Sequence, residues 1–282
     1  MRKTQLTRRI SNKLFHYLCY LSVIFGIAVL SSIFYALIHH GFPALSLNFF
    51  TMDTPAPETI GGGLRNAIVG SLIITLAAVV VATPVGILAA TFLSEYARGK
   101  KIASVIRFVN DVWLSAPSII VGLFVYTVVV HPTGNYSAFA GAISLAMIAC
   151  PIITRSAEDM LNLVPNELRE AAIALGLPKW RVIIHIAWRA SKQGILTGIL
   201  LSVARISGET APLLFTSLNN QFWSTSLSQP IANLPVTIYQ FAMSPYHNWQ
   251  ELAWGGALLI TVFVLFLNIL TRYFTKSGGK RS

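Results

Sequence analysis

Six runs of about 20 or more mostly apolar residues divide this chain, at roughly 14–38, 66–93, 108–130, 136–154, 193–215 and 252–271. Nothing else in the sequence narrows the fold as much, because a helix needs about 20 apolar residues to cross the hydrocarbon of a bilayer. The runs lack the period-two alternation of strands, and an open sheet would leave edge amides unpaired in lipid. The expectation is an all-α integral membrane protein with six transmembrane helices. Composition agrees: 54% of the 282 residues are hydrophobic and only 11% are charged, against about 25% charged in a soluble domain. Pro84, Pro117, Pro151 and Pro212 fall in or near the runs. Such prolines are tolerated where neighbouring helices cover the freed carbonyls, so a compact bundle is expected rather than isolated anchors. The first run is too long for a signal-peptide core and reads as a retained helix.

A net charge of +11 would suggest a nucleic-acid partner in a soluble protein. Here the charge is topological. Nineteen of the 21 Lys and Arg residues lie in the amino-terminal tail, the loop before the third run, the loop between the fourth and fifth, and the carboxy-terminal tail. Arg65 and Arg205 are the exceptions. The positive-inside rule places both termini in the cytoplasm and 39–65, 131–135 and 216–250 outside. Residues 216–250 contain no Lys, Arg, Asp or Glu, and their Trp223, Trp249, Tyr239 and Tyr246 suit an interfacial belt. No nucleic-acid footprint remains. The domain reading is a first segment, 1–60, with tail, first span and outer loop; a membrane domain, 61–275, that holds the other spans and the loop at 155–192; and a cytoplasmic tail, 276–282.

Several chemistries are unsupported. Gly61-Gly62-Gly63 is not followed by the lysine of a phosphate-binding loop. Cys19 and Cys150 give neither a disulfide framework nor metal spacing and read as small buried apolar residues. His39 and His40 read as interfacial. No catalytic constellation of an intramembrane hydrolase is present.

The longest cytoplasmic loop, 155–192, reads RSAEDMLNLVPNELREAAIALGLPKWRVIIHIAWRASK. Pro165 suits the first position of a helix, with Glu167 and Glu170 in its first turns. Leu168, Ala171, Ala172 and Leu175 recur at helical spacing as one small apolar face. Gly176 can end the helix in the left-handed region, and Pro178 can start another. On physics alone this is either a hairpin packed on its own bundle or a docking element for another protein.

Glu170-Ala171-Ala172, followed after three residues by Gly176, resembles the EAA loop of ABC importer permeases. In that family Gly is followed after nine residues by Ile-x-Leu-Pro; here Ile186 is in place, but Trp188-Arg189 stand where Leu-Pro is expected. The stretches GETAPLLF (208–215) and QPIANLPV (229–236), in that order after such a loop, are similar to the permease subunits of phosphate-specific ABC importers. The likeness covers about three quarters of the chain, from the second span to the end. It implies a type I ABC importer permease bundle in the cytoplasmic (inner) membrane. It implies a heterodimer with a sister permease (PstC), two copies of an ATPase (PstB) docked on the EAA loop, and a periplasmic phosphate-binding protein (PstS) delivering inorganic phosphate. It implies no cofactor in this chain, with ATP and Mg²⁺ on the partner ATPase. An ion-coupled secondary transporter or channel for an anion is the alternative; it would account for buried charges but not for the loop.

Arg205 and Glu209 interrupt the fifth run. A charge at the centre of a membrane helix costs about 2.5–3.5 kcal/mol on insertion scales, so two need a reason. Four apart on a continuous helix, they would share one face, with Ser202 and Thr210 near it. The pair is either a structural ion pair or the lining of an aqueous pathway. A guanidinium matches phosphate oxygens in geometry, and the family carries this Arg and Glu in the same context. Arg107 and Asp111, also four apart, are expected to pair at the cytoplasmic interface.

Overall fold

In the computed structural model, residues 2–59 and 61–278 are described, with side chains for Arg8, 11–59 and 61–273. The chain begins with a long helix, α1 (Arg2–Gly41), and a short helix, α2 (Leu47–Thr51). Next comes α3 (Arg65–Thr91), closed by a π turn at Phe92–Tyr96. Helices α4 (Lys101–Ser115) and α5 (Ser118–Val125) follow; a π turn at Tyr126–Val130 and α6 (His131–Thr133) end that section. Helix α7 is Ala138–Asn162, and the loop after it carries α8 (Asn166–Ala174). Helix α9 (Lys179–Val182) runs through a π turn at Ile183–Ala187 into α10 (Trp188–Ile206). Helices α11 (Ala211–Thr216), α12 (Leu234–Ala242) and α13 (His247–Gly278) complete the chain.

Packing follows residue size rather than hydrophobicity. On α3 a stripe four residues apart, Gly70, Ile74, Ala78, Ala82, Gly86 and Ala90, is buried, largely against α7. The large residues of the same helix, Leu72, Leu76, Val80 and Leu88, point outward and are exposed. Lipid is as apolar as leucine, so membrane helices gain from close backbone approach by small residues and leave bulky ones to the bilayer. Helix α10 repeats the device with Gly194 and Gly198. A Cβ on Gly198 would lie 2.4 Å from Ser156 Oγ of α7. The central core joins α3, α7, Ile206 and Leu213; a second cluster around Phe49, Leu64, Phe241 and Leu252 closes the end of the bundle where α3 begins.

Among the described residues, four single helices are long and apolar enough to cross a membrane: Ser11–Gly41, Arg65–Tyr96, Ala138–Asn162 and His247–Tyr273. The two other expected spans are broken. The third bends by 101° between α4 and α5, where Ala116, preceding Pro117, takes an extended conformation (ψ 135°), as a residue before proline prefers. The fifth stops at Ile206 and resumes as α11, with Ser207–Thr210 outside helix and Pro212 in the first turn of α11. The fourth span is longer than expected: α7 absorbs 155–162, so the loop proper is 163–178. Cys19 is exposed on α1 and Cys150 only half-buried, so the reading of two buried cysteines is corrected. The tail expected at 276–282 lies largely outside the described residues, since 279–282 are not described.

Candidate functional site

The loop between α7 and α9 forms a helix, a tight reversal and a second helix. Pro165 sits one position earlier than expected, as N-cap of α8, and Glu167 occupies the first turn, where a carboxylate is favoured by the helix dipole. The turn is a Schellman motif: Gly176 N–H donates to Ile173 O (2.9 Å) and Leu177 N–H to Ala172 O (3.2 Å). Gly176 has φ +81° and nothing near its Cβ position, so the backbone conformation alone requires glycine. Leu168, Ala171, Glu170 and Leu175 are exposed, Leu175 at 84%. Ala172 is buried, so the expected face splits: Ala172 packs inward and Leu168, Ala171 and Leu175 point out. The loop thus presents an apolar strip to solvent.

Arg169, on the inward side with Ala172, was missed as more than a basic loop residue. Its Nε and Nη2 donate to Glu95 Oε1 at 3.0 and 2.7 Å. Nη2 also donates to Leu161 O at 2.8 Å and Nη1 to Val164 O, which caps the end of α7. Spacing did not mark it: 172 neighbours 168 on the helix surface as closely as it neighbours 169, and only the packing of α8 on the bundle divides them. Past the turn, Trp188 Nε1 donates to Thr91 Oγ1 (3.0 Å), and with no proline at 188–189 the second helix continues into α10.

The second feature lies at the two breaks. Arg205 lies in the last turn of α10, and its guanidinium lies 3.4 Å from Glu209, with side-chain exposures of 62% and 12%. The two do not share a helix face as expected, because the helix has ended between them. Arg205 lines a cavity of about 320 Å³ with Trp113, Leu114, Ala116, Ser118 and Ile152, beside the α4–α5 bend. Irregular backbone at membrane depth is tolerated where it is covered by protein or lines a watery cavity, and two such breaks meet here. Thr210 occupies the position before α11, makes no capping bond with its side chain, and is half-buried. Ser202 is fully buried, with its hydroxyl donating to Ile199 O (2.7 Å). It is a packing position and does not line this cavity, a correction to the expected grouping.

Arg107 and Asp111 do not pair with each other. Arg107 Nε donates to Glu158 (2.7 Å), whose side chain is 5% exposed, and Asp111 faces Arg155 at 3.7 Å. The α4 positions four apart meet α7 residues in place of one another, because α7 extends far enough to offer Arg155 and Glu158. At the start of α3, buried Asn66 accepts from Thr54 and donates to the carbonyl of Gln221, while Arg65 pairs with Asp53 (2.9 Å) and lies 4.5 Å over Trp223. These amide contacts seat the 217–233 segment on α3.

An all-helical bundle with small residues inside, bulky apolar ones outside and an exposed helix–glycine–helix loop is a multi-pass membrane protein. The model of the binding-protein-dependent transport system inner membrane component family matches residues 82–277. The chain belongs to that family and is an inner-membrane multi-pass protein. It is 56% identical over 271 residues to the phosphate transport system permease protein PstA of Yersinia pestis, covering 96% of this chain and 92% of that one. A protein of the same description from Haemophilus influenzae is 56% identical over 267 residues (95% and 94%). PstA 1 of Mycobacterium tuberculosis is 35% identical over 277 residues (95% and 90%). Among solved structures, a chain of the inward-facing MetNI methionine ABC transporter matches with a TM-score of 0.61 at 16% identity, over 75% of this chain and 94% of that one. An amino acid ABC transporter matches at 0.54 and 16%, over 76% and 92%. The fold is therefore that of an ABC transporter permease.

Proposed function

We propose that this chain is a transmembrane permease subunit of an ATP-driven importer of inorganic phosphate. The observation that carries this reading is 56% identity over 96% of the chain to a permease named for phosphate transport. The exposed Leu168–Ala171–Leu175 strip and the Gly176 turn supply the docking surface such a subunit needs. ATP hydrolysis belongs to a separate ATPase, present in two copies and holding ATP and Mg²⁺. A sister permease of the PstC kind completes the pathway, and a periplasmic binding protein of the PstS kind delivers phosphate. Both termini and the 163–178 loop are cytoplasmic, in keeping with the Lys and Arg distribution.

Arg205 is the phosphate contact in this chain. Its planar donor fork suits phosphate oxygens, it borders a cavity at the two breaks, and Glu209 competes for it, which keeps binding weak enough for release. The test is reconstitution. The chain, co-expressed with its sister permease and ATPase, should retain the ATPase through purification, and vesicles should hydrolyse ATP faster when phosphate-loaded binding protein is supplied. ATP hydrolysis indifferent to phosphate, or failure to retain the ATPase, refutes the reading.

A further inference from the structure

We propose that Arg169 and Glu95 form the clamp through which movement of α8 is passed to α3, and thence to the outer 231–234 segment. The inference rests on α8 being the ATPase-docking element. Helix α8 offers its outward strip to solvent, so something else must tie it to the bundle. Arg169 does so from the inward face. Its side chain is only 10% exposed, and that of Glu95, in the π turn closing α3, is 7% exposed. The other side of the Gly176 turn is tied to the same place: Lys179 Nζ donates to Glu95 O at 2.6 Å and lies 4.5 Å from the Tyr96 ring centroid. Both arms of the loop therefore converge on residues 95 and 96.

The physical distinction is between contacts that slide and contacts that do not. Apolar side chains can shift against one another at little cost. A buried ion pair held by two donors on one oxygen cannot lengthen without leaving charge unpaired in a dry site. Displacing α8 must then pull the end of α3. Helix α3 has 27 residues, a rod of about 40 Å. At its far end Leu234 N–H donates to Ser71 Oγ at 2.6 Å, and Ala232 O approaches Gly70 so closely that a Cβ there would lie 1.9 Å away. One helix, continuous through Pro84, thus carries the clamp at one end and the outer segment at the other. Helix α4 joins that end of α3 through Gly99 (φ +76°) and lies outside the clamp. Arg169 and Glu95 are positioning residues: they act through α3 and touch no substrate.

The test uses the complete transporter in lipid vesicles, with phosphate uptake and ATP hydrolysis measured on the same preparation. Arg169→Met combined with Glu95→Leu removes both charges together, so no unpaired charge is left buried. This double variant should retain the ATPase and continue to hydrolyse ATP, while phosphate imported per ATP falls by about tenfold or more, the loss expected when a fixed charged contact is removed. Arg169→Lys, which keeps the charge without the fork, should fall between the two. A wild-type ratio in the double variant overturns the clamp, because a contact that only anchored α8 would leave the ratio untouched. If the double variant fails to accumulate, Arg169→Lys decides: it keeps the charge and loses the two-donor fork, and an unchanged ratio overturns the proposal while a lowered one supports it. Loss of the ATPase from the wild-type complex overturns the docking role of α8, and the clamp with it.

Discussion

Neutralising Arg205 separates a structural ion pair from a substrate contact, because the two readings differ in size. The Arg205 side chain is 62% exposed and lies 3.4 Å from Glu209. With the guanidinium largely in solvent, the pair itself contributes about 0–1 kcal/mol, or about fivefold at most in a folding or conformational equilibrium; the Glu209 carboxylate, 12% exposed and left without its partner, adds a cost that the double variant below removes. A hydrogen bond from a guanidinium to a phosphate oxygen is worth about 1.5–3 kcal/mol, or roughly 10- to 150-fold in binding. Arg205→Gln should therefore reduce phosphate uptake at sub-saturating phosphate by more than tenfold, with assembly and thermal stability close to wild type. Arg205→Lys should be impaired less, since it keeps charge but loses the planar fork. The assay is uptake by vesicles matched for assembled complex. The decisive variant is Arg205→Gln with Glu209→Gln, which leaves neither charge without a partner. Restored uptake in that variant would refute the substrate role and leave the pair as a local brace across the break.

Three further outcomes are expected. Gly176→Val forces a β-branched residue into φ +81°, at about 1–2 kcal/mol; insertion should be normal and ATPase retention on an affinity column reduced, and normal retention with normal uptake would count against the loop as docking surface. Gly198→Leu drives side-chain atoms into Ser156, where even a Cβ would sit 2.4 Å from Oγ; overpacking of about 1–3 kcal/mol should lower the denaturation midpoint in detergent, and Ser156→Gly should restore part of it. A cysteine at Ser226 should react with an impermeant thiol reagent added outside intact cells and one at Leu175 should not, whereas the reverse pattern would invert the topology.

The broad architecture was legible because a bilayer imposes one rule, a helix of sufficient apolar length, and 66–93, 136–154 and 252–271 obey it. The two misread spans failed for local reasons. Hydropathy continued through Ala116-Pro117 and through Ser207–Thr210 although the backbone did not. Pro117, Gly208 and Pro212 were visible, but only tertiary packing, such as Gly122 against Pro212, made them breaks and not kinks. Leu168, Ala171, Leu175 and Gly176 were found by periodicity and turn chemistry. Arg169 and Glu95 were not, since 74 residues separate them and each alone reads as a membrane-surface charge. Arg107 and Asp111 misled in the opposite way: sequence proximity suggested a partner that the neighbouring helix supplied instead.

The segment from Thr216 to Tyr246 holds itself and its seat on α3 with carboxamides, hydroxyls and backbone groups: Asn233 donates to Leu218 O at 2.9 Å, Asn219 to Gln240 at 2.7 Å, and Asn66 to Gln221 O at 3.0 Å. Apart from two tyrosines, Tyr239 and Tyr246, no side chain in that stretch can gain or lose a proton. Its internal bonding is therefore indifferent to acidity and, lacking ion pairs, to ionic strength. The cargo proposed for this protein is not indifferent, because inorganic phosphate exchanges a proton near neutrality. A cover of this composition keeps one shape while the medium beyond it acidifies or becomes saline, and leaves any response to acidity to the anion and to the few charged groups that meet it.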